Sequence, residues 1–181
     1  METDALLTAY QHLLEAAEHI TDTSPLAESD RAQIDWILAH IALSDRALVD
    51  TGRDVLAGRA ARLDNVQAMS KSEIGRILGS TTHAERSELV RRNAMELIDL
   101  LARTPEEAAN ATVRARLVDR EGSVVFDQDL KWGDLVRVRA TEHIPGHAAT
   151  LRVRGGAHIG SWEHRPGAGP APARLGYRDS R

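Results

Sequence analysis

The sequence predicts a mainly α-helical (all-α) protein: four long helices in a bundle, with a small β-hairpin inserted before the last of them. Apolar residues recur at helical spacing in four long stretches. Only 3% of the residues are aromatic, which leaves the core to Leu, Ile, Val and Ala, the usual filling of helical bundles. Between the third and fourth stretches the period switches to alternation around a Gly-containing turn, the mark of a hairpin.

The first helix covers residues 4–20. Leu6, Leu7, Leu13, Leu14 and Ala17 form its apolar stripe, Glu15 and Glu18 face outward, and Pro25 ends any continuation. The second runs from about residue 29 to residue 50. Ser29 or Asp30 caps it, Ile34, Ile37, Leu38, Ile41 and Leu48 line one face, and Gly52 terminates it. Residues 53–81 read as short helical pieces interrupted by Gly58, Gly75 and Gly79, one of them opened by the capping box Ser70-Lys-Ser-Glu73. A second capping box, Thr82-His-Ala-Glu85, opens the third helix. It runs to about Arg103 on Leu89, Val90, Leu97, Ile98 and Leu101, and Thr104-Pro105 stops it. Val113, Ala115 and Leu117 then alternate with Arg114 and Arg116, Asp119-Arg-Glu-Gly122 turns, and Ser123 to Phe126 return. The last helix spans roughly residues 132–154, with Leu135, Val136, Ile144 and Leu151 among its apolar positions.

At 181 residues the chain suits one sizeable domain and is short for two. A bundle domain over 1–160 and a mobile Gly/Pro/Arg-rich tail over 161–181 are expected. No apolar run approaches the roughly 20 residues a spanning helix needs, and the acidic N-terminus is unlike a signal peptide. A cytoplasmic protein without a membrane partner follows. There is no cysteine, so disulfides, cysteine nucleophiles and thiolate metal sites are excluded and His and carboxylates are the strong ligands left. A net charge of −4 argues against nucleic acid as a partner. The residual basic bias sits at the C-terminal end, where residues 152–181 hold six Arg against Glu163 and Asp179.

Chemistry points to three histidines. His143 and His147 stand four residues apart, a spacing that puts both imidazoles on one helix face, as when two histidines ligate one metal. His40 lies on or beside the Ile37–Ile41 stripe of the second helix and should point to the bundle interior or its mouth, where it needs a partner. Spacing alone leaves a surface or satisfied core pair open as the alternative. Pro145 between the two histidines either bends the last helix at the site or marks a place where a helix begins. Arg139, one turn earlier, is a candidate binder of an anionic substrate or thiol-cofactor carboxylate, or else an exposed helix charge. Glu142 and Asp45 either orient ligands from behind or are solvated, and Trp36 packs beneath the site where substrate or cofactor would bind. His12, His19, His83, His158 and His164 have no partner spacing and read as fillers.

Trp36-Ile-Leu-Ala-His40 in the second helix, with His143-Ile-Pro-Gly-His147 in the last, resembles the DinB/YfiT-like superfamily, which includes the mycothiol-dependent maleylpyruvate isomerases and thiol S-transferases. The resemblance covers roughly residues 4–154. It implies a four-helix bundle in which His40, His143 and His147 hold one divalent metal, commonly zinc or nickel. The isomerase branch has a glutamate as the first of its last-helix pair; His143 stands there in this chain, which suits the three-histidine pattern better. The isomerases also carry a C-terminal domain where this chain is expected to have only a tail after residue 155.

Three neutral imidazoles would leave a divalent ion its full charge and open positions, the arrangement of a catalytic site. Such an ion lowers the pKa of bound water or thiol, so the nucleophile is one of these rather than a side chain. The first functional reading is an enzyme that transfers a mycothiol-type thiol to a small electrophilic substrate; the Arg- and Ala-rich composition favours mycothiol over bacillithiol. The second is a metal-dependent hydrolase using bound water. The third is a non-catalytic helical module that binds a ligand or stores a metal, with a homodimer as its form.

Overall fold

The computed structural model describes residues 3–21 and 23–156. The tail expected over 161–181, with His158 and His164, lies outside them. Four bundle helices are present in the expected order: α1 (Thr3–Glu18), α2 (Glu28–Leu56), α5 (His83–Ala102) and a broken fourth made of α6 (Trp132–Val138) and α7 (Ile144–Arg154). The shorter helices α3 (Val66–Met69) and α4 (Lys71–Ser80) fill the link between α2 and α5. Packing runs α1 on α5 and α7, and α2 on α5 and α7, around a core of Leu, Ile, Val and Ala. Among the described residues no helix is long and apolar enough to cross a membrane.

The second helix differs from expectation at both ends. It starts at Glu28 after Ala27, without a side-chain cap from Ser29 or Asp30, and it runs on to Leu56. Gly52 does not end it. A Cβ there would lie 2.6 Å from Leu100 Cδ2 and 3.0 Å from a ring carbon of Trp132, so glycine serves the close approach of α5 and α6. The third helix keeps its capping box, with Thr82 and Glu85 bonded reciprocally. At Ser70 half of the expected box forms: its hydroxyl accepts from the Glu73 N–H, while the Glu73 carboxylate turns to Arg76.

The hairpin is longer than expected and has a third strand. β1 (Ala61–Asp64) pairs in parallel with β2 (Thr112–Val118), which pairs antiparallel with β3 (Val124–Lys131). Ala61, Leu63, Val113 and Ala115 are buried on the inner face, and Arg114 and Arg116 pair with Asp127, Asp129 and Asp64 on the outer. A bulge between Leu117 and Val118 reverses the alternation, so that Val118 is buried in place of the expected Leu117. Asn65 clamps this point, donating to the Val118 carbonyl at 3.0 Å and accepting from its N–H at 2.7 Å. The turn beyond is tied by Asp119 Oδ1, which accepts from the Glu121 and Ser123 N–H groups, and Gly122 closes it at φ +85°.

Candidate metal centre

His40 projects from the middle of α2 and is 6% exposed. Its Nδ1–H donates to the Ala68 carbonyl at 2.9 Å, which fixes the tautomer and turns Nε2 toward the fourth helix. The other two histidines come from the break in that helix. Residues Arg139–His143 form one π-helical turn, closed by the Ile144 N–H on the Arg139 carbonyl, and Pro145 follows in the first turn of α7. Proline has no N–H for the Thr141 carbonyl, and the wider turn absorbs that loss without ending the helix. Both sequence alternatives are therefore partly realised: the helix changes register at the site, and α7 begins between the two histidines.

The imidazoles still meet. The ring centroids of His143 and His147 are 4.6 Å apart, and each lies 5.4 Å from that of His40. One nitrogen from each ring falls within 4.8 Å of the others, and His40 Nε2 is 3.3 Å from His143 Nε2. Metal–nitrogen bonds of about 2.0–2.1 Å at a tetrahedral angle separate two donors by about 3.3 Å, the spacing of the His40–His143 pair, so the cluster could hold one divalent ion. Burial holds all three imidazoles neutral, pushing His40 down to about 4 and His147 to about 3, and lowering His143 well below its ordinary value. The Arg139 charge adds to the shift in each. All three rings are thus neutral at neutral pH, and among the described residues no carboxylate joins the cluster.

Behind His143 lies a buried network. Arg139 Nη1 donates to His143 Nδ1 at 2.8 Å. A guanidinium has only donors, so Nδ1 is the acceptor; neutral His143 then carries its proton on Nε2, directed at the His40 Nε2 lone pair. His143 would ligate an ion through Nε2 only with that proton lost, or moved to Nδ1 with the Arg139 contact given up. Arg139 is itself held by an ion pair with Asp45 and by donation from Nε to the Tyr10 hydroxyl at 3.2 Å; Tyr10 in turn donates to Asp45. Burial raises the Tyr10 hydroxyl well above its ordinary value and raises Asp45, against the pull of Arg139 on both. Burial is the largest single influence on Arg139 and would lower it, but Asp45 and Tyr10 together outweigh it and hold the guanidinium above its usual value.

Each expected site residue can now be placed. His40, His143 and His147 converge. Asp45 lies behind His143 and is joined to it through Arg139. Arg139 is 5% exposed with its donors committed to protein groups, so it is neither an exposed charge nor a free anion binder. Glu142 is exposed and outside the network. Trp36 stacks on His40, ring centroids 4.8 Å apart and planes within 8°, as a wall of the site. Sequence reasoning passed over Tyr10, although it shares the Leu6–Leu13 stripe and a buried tyrosine needs a partner. It also passed over Arg120, whose guanidinium lies over the Trp36 ring at 3.7 Å. Of the fillers, His83 is a buried tie between helices, donating from Nε2 to the Ala17 carbonyl at 2.9 Å beside the Asp35–Arg86 pair.

No protein-family model and no curated protein matches the sequence. A solved structure does match the fold: the mycothiol-dependent maleylpyruvate isomerase, at a TM-score of 0.59 and 13% identity over 82% of this chain. The chain spans 58% of the length of that structure. The likeness is one of fold: this chain shares the helical bundle of that structure over most of its own length.

Proposed function

We propose that this protein is a metal-dependent enzyme that transfers a low-molecular-weight thiol of the mycothiol type to a small electrophile. His40, His143 and His147 hold one divalent ion, zinc or nickel. The observation that carries the reading is the cluster of three neutral imidazoles with no carboxylate among them. When bound, the ion supplies a Lewis acid that favours the thiolate at neutral pH. The chain's own groups do the rest: the Ala68 carbonyl and Arg139 orient His40 and His143, Trp36 walls the site, and Asp45 with Tyr10 holds Arg139 in place. The fold likeness to a protein described as mycothiol-dependent favours thiol over water as the nucleophile. A cytoplasmic homodimer belongs to the same proposal, and exposed Val124 and Val125 on the edge strand β3 offer apolar surface for pairing.

Metal content by mass spectrometry of untagged protein, wild type against His147→Ala, tests the site. About one divalent ion per chain, lost in the variant, is expected. Wild-type protein that takes up no zinc, nickel, manganese or iron after reconstitution refutes it. Turnover of an electrophile by loaded protein should require added thiol; turnover without thiol moves the assignment to a hydrolase.

A further inference from the structure

We propose that Arg120, at the tip of the β2–β3 hairpin, reads the charge of the ligand, receiving the carboxylate of a small molecule whose reacting atom lies at the histidine cluster. The inference rests on the metal-dependent reading above and adds to it the chemical class of the ligand. The carboxylate can belong to the electrophile or to the thiol.

The hairpin tip is built to hold a position. Asn65 binds both backbone groups of Val118, the bulge turns the strand there, and Asp119 ties the turn on either side of Gly122. This places the Arg120 guanidinium carbon 3.7 Å from the centroid of Trp36, whose ring is stacked on His40. A cation therefore stands one aromatic layer away from a metal-binding imidazole. An arginine seated over an aromatic ring by a cation–π contact still has N–H donors to offer, the fork that matches a carboxylate.

Its neighbours on the strand are spoken for, and Arg120 is not. Arg114 and Arg116 are in ion pairs with strand carboxylates, and Arg139 is matched by Asp45. Arg120 is exposed and has no ion pair among the described residues; its side-chain contact is a long one, Nη2 to Gln33 Oε1 at 3.4 Å. Between the guanidinium and the cluster stands the Trp36 ring, in contact with both Arg120 and His40. A small molecule can span that distance, with one end at the ion and a carboxylate at the guanidinium.

The test uses cobalt-loaded protein and two pairs of probes, with dissociation constants read from the cobalt absorption bands. N-acetylcysteine against N-acetylcysteamine varies a carboxylate on a thiol; succinate against succinamide varies it on a compound without one. Wild type should prefer the charged member of at least one pair by about tenfold or more, the scale of one charge-assisted hydrogen bond. Arg120→Gln should reduce that preference to about twofold or less with cobalt stoichiometry unchanged, and Arg120→Lys should keep part of it. The pair that responds identifies which molecule carries the carboxylate. If cobalt loads and Arg120→Gln alters neither ratio, the inference is overturned. If no cobalt loads, the metal reading itself falls, and this inference with it.

Discussion

Replacing Asp45 by alanine should be among the most damaging single changes available in this fold. Asp45 is fully buried and Arg139 is 5% exposed, so the variant strands a guanidinium that water cannot reach. Two unit charges about 4 Å apart attract by about 4 kcal/mol at an effective dielectric of about 20. Removing one partner of a buried pair costs about 3–5 kcal/mol, in line with that figure. Tyr10 loses its acceptor in the same stroke. Removing both charges should be far milder: Asp45→Leu with Arg139→Met leaves an apolar plug of similar volume, within about 2 kcal/mol of wild type. Urea unfolding followed by far-ultraviolet circular dichroism, with chelator present throughout, measures Asp45→Ala and the four corners of the cycle: wild type, Asp45→Leu, Arg139→Met and the double variant. The reasoning fails if Asp45→Ala lies within about 1 kcal/mol of wild type, or if the double variant loses as much as the two single changes added together.

Two further outcomes are expected. Gly52→Ala should destabilise by about 1–3 kcal/mol, because the methyl group collides with Leu100 and Trp132 and outweighs the helix propensity gained; a raised melting temperature would contradict the packing. Metal-free protein should weaken as pH falls from about 6.5 toward 4, since the unfolded chain takes up protons that buried His40 and His147 refuse. With His40 pushed down to about 4, that one side chain accounts for about 3 kcal/mol, and the loss levels off below the folded value. Urea midpoints across that range should fall less steeply in His147→Gln; parallel curves would exclude the histidines as the cause.

How much was legible in the sequence depended on distance along the chain. The i, i+4 pair of His143 and His147 and the place of His40 on an apolar stripe are local facts, and the three rings do converge. The capping box at Thr82 is local too, and it forms as written. What escaped was set by partners far away. Strand β1 is four residues long and exists because Ala61 meets Val113; nothing in Ala61–Asp64 itself says strand. Gly52 looked like a stop because its reason for being glycine lies in α5 and α6. Arg139 could not be told from a solvated charge until Asp45, 94 residues earlier, was seen beneath it.

The His40–His143 contact joins residues 103 positions apart in a chain with no cysteine. An ion bridging them would act on the unfolded chain as a cross-link does, closing a loop of a size for which a covalent tie is worth about 4–5 kcal/mol in the chain-entropy description. Folding and metallation would then be one equilibrium, since stripping the ion would untie α2 from the last helix at the moment it silenced the site. Metal supply would set how long each molecule survives as well as what it does.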